Sequence, residues 1–337
     1  MNYHIEPVTS DIVQREEIAR FLSNFEGDTD GPDVWRLRLT FWWEQNPFYA
    51  QGLPKGWILR KDNQIAGFLG AIATDYIYNG KTYKALNATT WRVLDTDRTQ
   101  SMSLFLEFFK HKNNYILFDT TPNDTVEKVL RFLEFNANTK ISNIIFPLNH
   151  SKRNDIFNLA VNLWQHVNYF FLPKGNCRIV DINSDVKLQP APDRYKEFPV
   201  KDKNYEYLRW LCNKNPSRKV IGYFNKNDEL SSFVVTEPAF VKKHNVLQVI
   251  DYFIGDDNGT EVLSIINYIT KINQKLAVDN QPNFLILTIF LSNAITVKKP
   301  FFIPSKNSSA RLYYILPDEL KRSEMLNYIS DGDFVLF

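Results

Sequence analysis

Apolar residues recur along the first stretch of the chain at helical spacing. Ile18, Phe21, Leu22 and Phe25 stand at i, i+3, i+4 and i+7, which predicts a helix over residues 11–25 with Ser10 or Asp11 able to cap it. After the turn-rich GDTDGPD, an apolar and aromatic segment runs from residue 34 to 43. Asn46-Pro47 closes it, because proline disfavours helical geometry in the residue before it. The period then changes to that of strands. Residues 56–60 and 65–73 flank KDNQ, a polar connection of hairpin length, and residues 74–78 and 82–94 bracket Asn79-Gly80, a favoured tight-turn pair. Met102, Phe105, Leu106 and Phe109 return to helical spacing over residues 100–112. Residues 115–118 read as a buried strand, and Val126, Val129, Leu130 and Leu133 as a further amphipathic helix. The predicted order is helices, four antiparallel strands, helix, strand, helix.

The second half repeats this order. Leu208 to Pro216 echoes the aromatic segment that ends in Asn46-Pro47, and residues 220–224, NKNDE and residues 230–235 echo the first hairpin. Residues 246–254 match the long strand 82–94. Val262, Ile265, Ile266 and Ile269 repeat the spacing of Met102, Phe105, Leu106 and Phe109, and residues 284–291 take the part of 115–118. A duplicated domain explains these matches, with the first copy over 1–150, the second over 151–337, and a connecting helix near 154–166 marked by Ile156, Leu159, Ala160 and Leu163.

Composition narrows the chemistry. The 337 residues carry 40 basic and 38 acidic side chains spread evenly, for a net charge of +2, so no nucleic-acid groove is advertised. The longest apolar runs, 65–73 and 284–291, are less than half the length of a bilayer-spanning helix, and the polar start MNYHIEPVTSD does not read as a secretory signal. Cys177 and Cys212 have no close partner and the five histidines are scattered, which leaves zinc ligation and a disulfide framework unsupported. Reduced cysteines fit the cytoplasm. No G-x-S-x-G elbow, P-loop or dinucleotide fingerprint occurs.

A strand, a tight loop and a helix that follow a hairpin meander resemble the cofactor-binding region of the acyl-CoA-dependent N-acyltransferases, the GNAT superfamily. That family's pattern is close to V-x-P-x-x-R-G-x-G-x-G. Here Val93, Leu94, Arg98, Thr99, Gln100, Ser101, Met102 and Ser103 fall at the corresponding spacing. Backbone amides at the start of a helix, helped by its dipole, can hold a diphosphate there. Thr99, Ser101 and Ser103 replace the usual glycines, and Asp95 replaces the proline, with Asp97 adding a second acid. In the second copy, Gly255-Asp-Asp-Asn-Gly259-Thr-Glu-Val262 has no arginine, so poor cofactor binding is expected of it. FWWEQNPFYAQG followed by GWILRKDNQIAGFLGAI, and the final SDGDFVLF, are similar to tandem members found among bacterial surface-polysaccharide genes.

The resemblance implies an α/β (α+β) fold of two tandem GNAT-like domains, each a mixed, mostly antiparallel sheet flanked by helices. It also implies acetyl-CoA or another acyl-CoA as donor and the primary amine of a small molecule as acceptor, such as a nucleotide- or lipid-linked amino sugar. No nucleic-acid partner is expected. Asp119 is the candidate base, although with the TTP that follows it reads more readily as a loop and helix-cap cluster. Asn123 matches an asparagine that orients the cofactor in the family. Asn87, Thr89 and Trp91, which strict alternation puts on one strand face with Val93, are candidates for an acceptor pocket. Two other readings stay open: an inactive tandem scaffold, suggested by the missing glycines, and an aminoacyl-tRNA-dependent transferase of the peptidoglycan-bridge type. The even charge speaks against the second of these.

Overall fold

The computed structural model describes residues 2–120, 122–147, 170–184, 186–189, 196, 198–241, 244–278, 286–292, 305–320, 323 and 325. The expected connecting helix near 154–166 and the ending SDGDFVLF lie outside them.

Helix α1 (Ile12–Ser23) starts where Asp11 caps it, the carboxylate accepting the Val13 N–H at 3.0 Å. Helix α2 (Pro32–Trp43) has proline in its first turn, where the missing N–H costs nothing. It buries Trp35, Leu39, Phe41, Trp42 and Trp43. Strands β1 (Tyr3–Pro7), β2 (Gly56–Lys61), β3 (Gln64–Tyr78) and β4 (Lys81–Val93) form an antiparallel meander. Residues 64–78, read from sequence as two strands, form one. The turn between β3 and β4 has φ of +49° at Asn79 and +74° at Gly80, the doubly left-handed pair that a tight hairpin needs.

Strand β3 runs on past the end of β2, and there the carbonyls of Ala71, Ala73 and Asp75 are taken by other groups. Trp43 Nε1 and the Tyr49 hydroxyl donate to the Ala71 C=O at 3.1 and 2.7 Å, Asn46 Nδ2 donates to Ala73 at 2.9 Å, and the Asp202 N–H donates to Asp75 at 2.7 Å. This accounts for the aromatic helix and its Asn-Pro ending: they cap a sheet edge.

A 3-10 turn over residues 95–100 leads into α3 (Ser101–Phe109), followed by β5 (Ile116–Asp119), α4 (Asp124–Phe132) and β6 (Asn136–Pro147). The second half supplies β7 (Cys177–Ile179), β8 (Val200–Lys201), α5 (Tyr205–Asn213), β9 (Lys219–Phe224), β10 (Leu230–Val241), β11 (His244–Phe253), α6 (Thr260–Val278), β12 (Ile286–Ser292) and β13 (Ser305–Ile315).

All these strands join one sheet, ordered β1-β2-β3-β4-β5-β13-β6-β12-β11-β10-β9-β7, with β8 beside β3. The order reads alike from either end, with β4 and β5 parallel on one side and β11 and β12 parallel on the other. At the centre the halves exchange strands. β13 from the second half lies against β5, β6 from the first half lies against β12, and β13 and β6 pair with each other. The fold is therefore two halves of like strand order sharing one mixed sheet flanked by helices.

The main core crosses between the halves, taking Trp35, Trp42, Phe68 and Phe105 from the first and Trp210, Leu211, Phe224 and Phe233 from the second. A second core gathers the apolar stripe of α6, including Val262, Ile265, Ile266 and Ile269, over Val234, Val249 and Leu287.

Candidate active site

The first half opens beside β4. Strands β4 and β5 pair only over Ala85–Asn87 and Ile116–Phe118, after which β5 ends at Asp119 while β4 continues to Val93. A bulge sits in this unpaired stretch. Phe68 faces Arg92 and Gly70 faces Thr89, so β4 carries an extra residue, and Thr90 takes φ +53°. Such a φ is strained for a β-branched side chain.

The bulge shifts the alternation assumed from sequence. Beyond it Trp91 stacks on Phe105 of α3 with centroids 4.6 Å apart. Arg92 instead pairs with Asp28 at 2.6 Å, with its guanidinium about 5 Å from the rings of Phe25 and Trp35. Burial pushes the Asp28 carboxyl up, but the Asp30 N–H, Arg92 and Trp35 Nε1 outweigh it and hold it below its usual value. Asn87 and Thr89, before the bulge, are buried, and the Thr89 hydroxyl lies 3.2 Å from that of Thr90. The Trp91 Nε1 is buried and has no acceptor among the described residues.

The loop after β4 is fixed at both ends. The Leu94 N–H donates to Ala66 at 2.9 Å, the Asp97 N–H to Leu94 at 2.8 Å, and the Ser101 N–H to Arg98. Asp97 turns inward and is buried. Its Oδ1 accepts from Lys61 Nζ at 2.8 Å and the Tyr3 hydroxyl at 2.6 Å, and its Oδ2 from Thr96 at 2.7 Å. Lys61 and Tyr3 are direct cross-strand partners of β2 and β1, so the sheet edge itself makes the clamp. These bonds, led by that from Lys61, hold the Asp97 carboxyl down to about 2. Its charge is thus spent inside the fold.

Asp95 and Arg98 pair at 2.7 Å on the surface, with Arg98 72% exposed. Thr99 and Ser103 are exposed, and Gln100, Ser101 and Met102 half-buried. Asp119 ends β5 and is 8% exposed. Asn123 caps α4, its Oδ1 accepting from Thr125 and Val126 at 3.0 and 2.9 Å. Past their paired residues, β4 thus sets Trp91 against α3 and Arg92 against Asp28, while β5 ends at Asp119 ahead of the Asn123 cap of α4. The clamp of Tyr3 and Lys61 and the bulge at Thr90 escaped sequence reading, since neither leaves a local signature.

The second half has the same frame with a different ending. Val235 faces Asp251 and Thr236 faces Val249, so β11 also carries an extra residue. The start of α6 is filled by the chain itself: Asp256 accepts from the Thr260 N–H at 2.7 Å and the Glu261 N–H at 3.3 Å. The Gly255 N–H donates to Ser232 Oγ at 2.6 Å, and the backbone of Ser231 lies where a Cβ on Gly255 would go. An anion at this helix start would have to displace a carboxylate. Among the described residues no group of His, Cys, Asp and Glu is placed to hold a metal ion, and no helix is long and apolar enough to cross a membrane.

No protein-family model matches the chain, and no curated protein matches it in sequence. Solved structures do match in shape. A protein of unknown function from Enterococcus faecalis V583, described as a probable N-acyltransferase, is 8% identical over 94% of this chain and 73% of its own, with a TM-score of 0.59. A GCN5-related N-acetyltransferase from Anabaena variabilis ATCC 29413 is 11% identical, covers 93% of this chain and 72% of its own, and has a TM-score of 0.58. One from Kribbella flavida is 9% identical over 92% and 70%, with a TM-score of 0.56.

Proposed function

We propose that the protein is an N-acyltransferase that moves an acyl group, acetyl being the simplest, from coenzyme A to the primary amine of a small molecule. The observation that carries this reading is the parting of β4 and β5 beyond Asn87 and Phe118, with the turn after β4 leading directly into α3. The fold shared with GCN5-related N-acetyltransferases supports it.

The residues fit a diphosphate-bearing donor in one decisive respect: Asp97, an acid within the loop, is neutralised by Lys61. Arg98 stands exposed at the loop and can exchange its surface pair with Asp95 for a phosphate. The half-buried Ser101 and Met102 and the exposed Thr99 and Ser103 surround it, with Val93, Leu94 and Gln100 shaping the approach. When bound, the thioester supplies an acyl carbon open to attack by an amine. Asp119 is the base that takes a proton from the incoming ammonium, Asn123 fixes the start of α4 beside it, and Asn87, Thr89 and Trp91 form the acceptor side. The sequence likeness to polysaccharide-gene members favours an amino sugar, nucleotide- or lipid-linked, as that acceptor.

Calorimetry with coenzyme A tests the donor site. The expected result is saturable binding with a raised melting temperature, weakened at least tenfold by Arg98→Glu. No heat and no melting shift at millimolar coenzyme A would overturn the reading.

A further inference from the structure

Where the halves meet lies a cavity of about 550 Å³, within the size range of small-molecule sites. Ile77 and Gly80, at the tip of the β3–β4 hairpin, face it from the first half, and Leu188, Leu230, Phe233 and Phe253 from the second. Ile77 is paired with Val200 of β8, also in the lining, so one wall is itself a junction of the halves. Ile77 lies ten residues along β3 from Gly67, which faces Val93, so about 30 Å of strand separates the cavity from the proposed donor loop.

The apolar wall is firm. Leu230 and Phe233 are buried members of the main core, with Leu188 and Phe253 packed against it. The rings of Phe233 and Phe253 stack with centroids 5.9 Å apart and planes at 24°. The charged groups of the described lining are tied to the protein itself. Lys203 is paired with Asp251 and donates to the Tyr252 C=O at 2.6 Å, and Asp251 also accepts from the Tyr207 hydroxyl at 2.6 Å. Lys201 is buried with its Nζ 5.1 Å over the Tyr207 ring, and Lys196 is likewise engaged. Asp202 accepts from Asn204 Nδ2 at 3.0 Å, and burial pushes its carboxyl above the usual range, as a poorly hydrated setting does. An ionic ligand would give up its water to apolar walls and meet charges that are already engaged. The amides of Asn79 and Gln189, also in the lining, offer hydrogen bonds without charge.

We infer that this cavity binds a neutral, mainly apolar small molecule, its body against Leu188, Leu230, Phe233 and Phe253 and its polar part no more than a hydroxyl, carbonyl or amide.

The test is a titration of the full chain with N-phenyl-1-naphthylamine, a neutral probe whose fluorescence rises in apolar surroundings. One saturable site per chain is expected. Decanol should displace the probe, with decanoate and decyltrimethylammonium, each below its micellar concentration, at least tenfold weaker. Leu188→Trp, which fills the chamber, should weaken probe binding at least tenfold. Ile77→Trp, at a position already 40% exposed, does the same from the hairpin side and serves if the first variant does not fold, as melting curves will show. Phe240→Ser removes an exposed ring that is not part of the cavity lining and should leave binding unchanged. No saturable binding, displacement by either ion as strong as by decanol, undiminished binding in a folded tryptophan variant, or loss of binding in Phe240→Ser would each overturn the inference.

Discussion

Phe41 and Trp210 stack 4.7 Å apart with their rings 12° from parallel, and the Trp210 Nε1 donates to the Phe41 C=O at 3.0 Å. They lie 169 residues apart, and so do Asn46 and Asn215 (215 − 46 = 169), which open the Asn-Pro endings of the two aromatic segments. In each ending the asparagine Oδ1 accepts an N–H two residues on at 3.0 Å, from Phe48 in the first and Ser217 in the second. Residues at matching places in the two Asn-Pro segments therefore touch across the halves.

This contact should carry much of the cohesion between the halves. Trp210→Ala is expected to cost about 3–5 kcal/mol, as for other large-to-small changes in a core. Urea unfolding of Phe41→Ala, Trp210→Ala and the double variant should give a coupling of about 0.5–1.5 kcal/mol. Additive single effects would show that the rings merely share a core.

Thr90 stores strain at the bulge. Thr90→Gly should relieve more than the chain-entropy cost of glycine and raise stability by about 1 kcal/mol. Differential scanning calorimetry reads this as a higher melting temperature. A lower one would mean that the 3.2 Å contact between the Thr89 and Thr90 hydroxyls outweighs the strain.

Asp97 gives a signature in acid. Its pKa is held down to about 2, chiefly by Lys61. A carboxylate with a depressed folded pKa stabilises fully above its unfolded value and loses that contribution as pH falls through the folded one. The gap in melting temperature between wild type and Asp97→Asn should thus be full at pH 5 and close progressively toward pH 2.

Lys214, just past α5, behaves in the opposite range. Burial, then Arg218 and Arg38, lowers its pKa to about 7. The unfolded chain binds the extra proton between pH 7 and the ordinary lysine range, so stability rises with pH across that window. Lys214→Met should flatten the rise and stabilise the protein at pH 7 by roughly 2 kcal/mol, a figure discounted for solvent screening. Melting temperatures at pH 6.5, 8 and 9.5 read it.

Sequence showed most where the signal is local. Asp11 before an apolar stripe, proline opening α2, and Asn79-Gly80 between alternating runs each set an element from within a few residues. β6 and β13 stayed hidden because they are defined by partners far along the chain: Tyr313 meets Asp119, and Phe146 meets Leu287. Beside β4, the strict alternation read from sequence does not continue past Thr89. One extra residue at Thr90 sends Trp91 toward α3 and Arg92 toward Asp28, and nothing in TTWRV marks that step. The clamp on Asp97 likewise joins residues 94 apart.

The crossing of β6 and β13 has a practical corollary for anyone who would cut the gene in two. A fragment that stops before β7 keeps β6 but leaves β5 without its neighbour, and the remainder has the mirrored deficit at β12. Each piece alone would bare a row of unmet amides and carbonyls in its middle and be prone to clumping. Produced together, the two pieces supply each other's missing strand, so co-expression should recover an assembled particle where separate expression gives precipitate.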